Sequence, residues 1–216
     1  MPSDTAAEPA RRAVRSDRTR NRERLLDAAR TVFAASGIHA PLDRVAKTAG
    51  VGPGTLYRHF PTRADLWTAV LAEPLRYHLA EIDKALAADD PWDGFSELLF
   101  AMCNLEARPD GYTGLLNTRF DDAPELQALR ARIQLGITRI FARAHHAGVI
   151  RPDITPEDLL FVTLSNARII EATRTVAPDA WRRNVAFYLD AFRPRRPGKL
   201  PAPPLTARQL ADSIRD

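Results

Sequence analysis

A chain of 216 residues with 45% hydrophobic and 27% charged residues has the balance of a globular protein, not of a disordered or fibrous one, and can form one compact domain or two small ones. No apolar run approaches the ~20 residues of a bilayer span and no apolar signal core opens the chain, so a cytoplasmic protein without a membrane partner is expected. Cys103 is the single cysteine, which rules out an intrachain disulfide and a thiolate metal site within one chain. The charge is unevenly placed. Residues 1–63 hold 12 Arg or Lys against 6 Asp or Glu, while the rest hold 19 against 21. Seven arginines fall between Arg11 and Arg24, and such a stretch suits a polyanion such as DNA, whose counterions are released on binding. Composition alone leaves a solvated tail as an equal reading.

Residues 1–17 lack helical periodicity and read as a flexible basic arm. From Arg18 the spacing of Leu25, Leu26, Ala28, Ala29, Val32 and Phe33 predicts a helix that Gly37 ends. Leu42, Val45, Ala46 and Ala49 predict a short second helix, with Pro41 in its first turn and Gly50 as its stop. In Gly52-Pro53-Gly54-Thr55-Leu56-Tyr57-Arg58-His59-Phe60, Leu56 and Phe60 are four apart and face inward, leaving Thr55, Tyr57, Arg58 and His59 to the outside or the flanks. Thr62 and Asp65 form a capping box for a fourth helix over Leu66, Trp67, Val70 and Leu71. Pro74 kinks that helix and makes it a candidate hinge.

Trp92 to Cys103 predicts a fifth helix and Tyr112–Asn117 one or two further turns. Pro124 to about Ala147 carries one apolar stripe from Leu126 to Phe141. Thr155, Pro156 and Asp158 mark a helix start, and the helix over 156–177 is apolar around most of its girth, so more than one side needs cover. A helix over 179–192 presents Trp181, Val185, Tyr188, Leu189 and Phe192. Five prolines between Pro194 and Pro204 make an extended spacer, after which Thr206 and Gln209 cap a last short helix. No strand-like alternation and no repeat is visible.

The run from Ala49 to Arg63 resembles the signature of the TetR family of transcriptional regulators, and residues 18–71 resemble that family's DNA-binding domain. The resemblance implies an all-α fold of about nine helices, with an N-terminal three-helix helix-turn-helix domain and a C-terminal helical domain for ligand binding and dimerisation. It further implies a homodimer on a two-fold symmetric operator in double-stranded DNA, and release from DNA when a small-molecule effector binds. The domains are expected at 1–17, 18–71, 72–193 and 194–216. By position, Thr55, Tyr57, His59 and Arg63 resemble the phosphate contacts, Pro53, Gly54 and Arg58 lie where base-facing contacts vary, and Arg44 joins this DNA-binding set. Pro41 replaces the Ser or Thr that often caps the second helix, and Arg63 stands where Lys is common. The residues agree with the resemblance: a helix start offers free amides to phosphate, and Arg58 suits guanine in the major groove. Interhelix packing is the alternative for Tyr57 and His59.

Trp92, Phe95, Phe100, Cys103, Tyr112, Phe120 and Phe161 are candidate walls of an effector pocket, with Asn166, Arg168 and Glu171 as polar anchors. Core packing competes for each of them. Ile170, Trp181, Val185, Tyr188 and Leu189 are the expected dimer seam. His145 and His146, adjacent on a helix, point about 100° apart and do not converge on a metal. No cofactor and no catalytic residue is expected, since no nucleophile elbow, phosphate-binding glycine loop or metalloprotease motif is present. The competing readings are a helical interaction adaptor with a basic arm and a ligand-independent activator.

Overall fold

The computed structural model describes residues 7–107, 120, 122–194, 198 and 200–213, with side chains from residue 17 to residue 210. Among these are nine α-helices and no strand: α1 (Ala7–Ser36), α2 (Leu42–Ala49), α3 (Pro53–His59), α4 (Arg63–Ala87), α5 (Pro91–Ala107), α6 (Pro124–His146), α7 (Leu159–Thr173), α8 (Ala180–Phe192) and α9 (Ala207–Ser213). The chain divides into two compact units between Val70 and Leu71. Helix α4 begins in the first unit and supplies Leu71, Leu75 and Ile82 to the core of the second.

In the first unit, Leu25, Ala29 and Phe33 of α1 are buried with Val45 and Ala46 of α2, Leu56 of α3, Phe60, and Leu66 and Val70 of α4. Two left-handed glycines make the corners. Gly37 has φ 77° and Gly50 φ 65°, a conformation costly for residues with a Cβ. The Gly50 amide donates to the carbonyls of Ala46 and Lys47 and closes α2. Pro41 is the N-cap of α2, one place earlier than a first-turn proline, and makes no side-chain capping bond. The expected capping box of α4 is present: Thr62 N donates to Asp65 Oδ2 at 2.9 Å and Asp65 N to Thr62 Oγ1 at 3.1 Å.

The expected flexible arm is replaced by helix from Ala7 onward. Residues 10–24 include seven arginines, a strong helix former, and extending a helix already nucleated by buried turns needs no new nucleus. A helix written largely in charged residues has no apolar stripe, so periodicity misses it. Helix α4 runs through Pro74 without ending. The short helix expected over Tyr112–Asn117 lies outside the described residues.

The second unit is built on Phe95 of α5, fully buried, with Phe141 of α6 edge-on at 5.1 Å and Phe192 of α8 at 6.1 Å. His78 of α4 is buried there, and desolvation lowers its pKa to about 4, so it is neutral at neutral pH. A 3-10 turn, Pro156–Asp158, opens α7, with Thr155 N donating to Asp158 Oδ2 at 2.8 Å. Helix α7 ends at Thr173, four residues short of expectation. The residues beyond, Thr175, Val176 and the pre-proline Ala177, disfavour continued helix. Arg151 holds the start of the proline-rich tail: its amide donates to the Phe192 carbonyl at 2.9 Å and its Nη2 to the Gly198 carbonyl at 3.2 Å.

Candidate nucleic-acid interface

Helix α3 has only seven residues, too few to hold its shape alone. It is anchored by Leu56, buried among its neighbours, and by Phe60, whose amide closes the helix on the Leu56 carbonyl at 2.8 Å. With those two side chains turned inward, Pro53, Gly54, Tyr57 and Arg58 are exposed and Thr55 and His59 part-buried. Tyr57, for which packing was the alternative, faces solvent, whereas His59 is part-buried with its ring 6.4 Å from that of Phe60. Exposure of a large aromatic residue next to an arginine on a short rigid helix suits a reader of polyanion surface.

His59 shares its surroundings with three guanidinium groups, those of Arg18, Arg22 and Arg58, and partial burial together with these charges lowers its pKa. The last turn of α3 thus concentrates positive charge. Arg18 and Arg22 belong to the arginine-rich stretch that suits a polyanion, but were not singled out as contacts, although their spacing of four on one helix face is visible in the sequence.

Arg63 is placed differently from the expected phosphate contact. Its Nη1 donates to the Ala40 carbonyl at 2.8 Å and lies 3.3 Å from that of Ile38, and its Cζ lies 5.8 Å over the Trp67 ring. Trp67 Nε1 donates to the same Ile38 carbonyl at 2.8 Å. Arg63 consequently braces the loop before α2 against α4, and the carbonyls left bare beyond α1 explain why a five-donor side chain is useful there. Arg44 is exposed on α2 and donates to Ser36 Oγ at 2.8 Å.

In the second unit the expected pocket residues scatter. Phe95, Cys103 and Phe120 are core residues, and burial, with Glu106 beside it, raises the Cys103 thiol far above its usual range, so it is no reactive thiolate. Trp92 lies under Arg193, whose Cζ is 3.6 Å from its ring centroid, and Phe100 meets Trp181 edge-on at 6.4 Å. Arg168 and Glu171 pair with each other on the surface and are not buried anchors; on a helix with buried positions at 162, 163, 166 and 170, residues 168 and 171 fall on the opposite side. Phe161 is 49% exposed and lines no interior. Tyr112 lies outside the described residues. Asn166 is fully buried, and among the described residues neither amide atom has a hydrogen-bond partner. His145 packs edge-on against Phe141 at 6.2 Å while His146 is exposed.

The residues expected at the dimer seam are placed as follows. Ile170, Trp181, Val185 and Leu189 are buried within the chain itself, because the inward stripes of α7 and α8 face each other. Tyr188 is part-buried, and its hydroxyl donates to the Phe161 carbonyl at 3.3 Å and lies 3.2 Å from Ser165 Oγ. Asn184 Nδ2 donates to Ser165 Oγ at 3.3 Å. These bonds set Phe161, Leu164 and Ser165 of α7 beside Asn184, Phe187 and Tyr188 of α8. The outer surface of the pair exposes Phe161, Leu164 and Phe187 together.

The family model described as bacterial regulatory proteins, tetR family, matches residues 25–70. Among curated proteins, the chain is 40% identical over 73 residues to the uncharacterized HTH-type transcriptional regulator TtgW of Pseudomonas putida, covering 33% of this chain and 53% of that protein. It is equally similar over 73 residues to the HTH-type transcriptional regulator SrpR of the same species, again 33% of this chain but 33% of that protein. The matches span about half and a third of these relatives' lengths. Among solved structures, the ketosteroid transcriptional regulator KstR2 of Mycobacterium tuberculosis superposes with a TM-score of 0.60 at 18% identity, over 81% of this chain and 95% of that one. The fatty acid degradation regulator FadR of Bacillus halodurans gives 0.55 at 17% identity, over 79% and 99%. At such identities the likeness is one of fold. Among the described residues no helix is long and apolar enough to cross a membrane.

Proposed function

Since this chain belongs to the TetR family of bacterial regulatory proteins, we propose that it is a DNA-binding transcriptional repressor, released from its operator by a small molecule bound in the second unit. The observation that carries the reading is α3, which turns Leu56 and Phe60 inward and leaves Pro53, Gly54, Tyr57 and Arg58 exposed on one short helix. Tyr57, Thr55 and His59 hold phosphates and position the reader, while Arg58 contacts base edges. One such helix covers only a few base pairs, so the working species is a homodimer on two half-sites about 34 Å apart or a multiple of it. The test is selection of bound duplexes from a random library. A two-fold symmetric consensus is expected, Tyr57→Ala should weaken every duplex alike, and Arg58→Ala should also relax the consensus. Recovery of unselected sequence by the parent protein would end this reading.

Asn166 supports an effector site in the second unit. A buried carboxamide without partners costs about 1–3 kcal/mol, a cost that a ligand offering one donor and one acceptor relieves. Asn166→Leu is therefore expected to raise the melting temperature of the ligand-free protein and to abolish any ligand-induced melting shift that the parent shows across a compound library. A variant less stable than the parent would show that the amide is already satisfied.

A further inference from the structure

The positive charge around the end of α3 does not stop at that helix. Arg18 and Arg22 lie four apart on α1, on one face of the helix, and both are exposed. Arg22 holds its guanidinium 5.4 Å over the ring of Phe60, the residue that closes α3. Arg58 and His59 occupy the last turn of α3, where the helix dipole favours cations. The two helices thus bring four basic side chains to one place, beside the exposed Tyr57 of the reader. We propose that Arg18 and Arg22 of α1 join His59 of α3 in one phosphate-binding site that extends the DNA contact past the reader helix, and that His59 takes up a proton when DNA is bound.

Like charges at close range repel in the free protein. A phosphate between them removes that repulsion and accepts bidentate bonds from guanidinium groups, whose planar fork matches its geometry. The groups that act on His59 are Arg18 and Arg22 from α1 and Arg58 from its own helix. Asp17 and Glu23 flank the arginine pair along α1, each one residue away and so turned about 100° from its neighbour. In the free protein partial burial and the guanidinium groups favour neutral imidazole; a phosphodiester anion at the same place favours imidazolium. The sign follows: the bound state holds the proton more tightly, so DNA affinity rises as pH falls.

The site rests on the DNA-binding reading, and the experiment separates the two. Fluorescence anisotropy with a labelled duplex of arbitrary sequence, repeated over a range of potassium chloride concentrations, gives the slope of log affinity against log salt. Arg18→Gln should make that slope shallower by about one, and Arg18→Gln with Arg22→Gln by about two. Arg139→Gln, on an exposed position of α6, should leave it unchanged. Circular dichroism on each variant reports helix content, and the single Arg18 variant leaves the Arg22–Phe60 contact intact. Between about pH 6 and pH 8 the parent should lose affinity as pH rises, and His59→Gln should lose less. Arg18 variants with the parent's slope would overturn the site while the reader stands, and identical pH dependence in parent and His59→Gln would overturn the proton uptake. A parent with no affinity for duplex DNA would overturn both readings together.

Discussion

Replacing Phe161 and Phe187 together by glutamate is expected to give a folded, helical monomer whose affinity for a two-fold operator falls on the order of 100-fold or more. The two phenylalanines are 49% and 60% exposed, and Leu164 of α7 is 52% exposed. Their helices are held in register by the Tyr188 and Asn184 bonds to Phe161 and Ser165. Contiguous aromatic surface of this kind marks an interaction site, and each buried phenylalanine removes roughly 150–250 Å² from water. A two-fold axis through the face uses each residue twice, so one substituted residue places two charges in the seam. Light scattering at micromolar concentration should report a dimer for the parent and a monomer for the double variant, with unchanged far-ultraviolet dichroism. Nonspecific affinity per protomer should survive, because the reader helix is untouched. A double variant that remains dimeric would move the interface elsewhere. Charges at Ile170 or Val185 are no substitute test: both are interior to the protomer, and a charge there unfolds the helix pair.

The contrast between those two pairs shows what the sequence could and could not tell. The helix over 156–177 carries apolar residues around most of its circumference, which indicates that more than one side needs cover but not which side meets the chain's own core. Phe161, expected in a ligand pocket, is exposed, and Val185, expected in the dimer seam, is interior to the protomer. Local chemistry was far more legible. Gly37 and Gly50 stop their helices, Thr62 and Asp65 cap α4, and Thr206 N donates to Gln209 Oε1 at 2.9 Å ahead of α9, each through bonds between residues close in sequence. The reader was legible because Leu56 and Phe60 fix its inward face by spacing alone. Arg63 was not, since its carbonyl partners at Ile38 and Ala40 lie more than twenty residues away in sequence. Asn166 was recognisable as one of several polar residues in an otherwise apolar helix, and only its burial separates it from Arg168 and Glu171.

Gly94→Ala is expected to destabilise the second unit by about 3 kcal/mol, against the ordinary preference of a helix for alanine over glycine of about 1 kcal/mol. Gly94 lies in the first turns of α5, where a Cβ would come 2.3 Å from the carbonyl oxygen of Ala85 and 3.3 Å from its carbon. The obstacle is backbone, so no side-chain rotation relieves it, and α5 must retreat from the end of α4. That end is held in place. Arg143 of α6 donates to the Leu86 carbonyl at 3.0 Å and to that of Asp89 at 3.0 Å, and its guanidinium also meets the Ala88 carbonyl. One side chain thereby satisfies carbonyls that a helix end leaves without partners, and α5 can withdraw only by loosening its packing or by dragging α4 off Arg143. Calorimetry should show the second unit's transition shifted down by roughly 6–12 °C, at 2–4 °C per kcal/mol for a protein of this size. Arg143→Met removes the other half of the same restraint. Because both changes release the same end of α4, their effects should sum to more than the double variant loses. A Gly94→Ala protein that melts at or above the parent's temperature would show that α4 and α5 do not approach this closely.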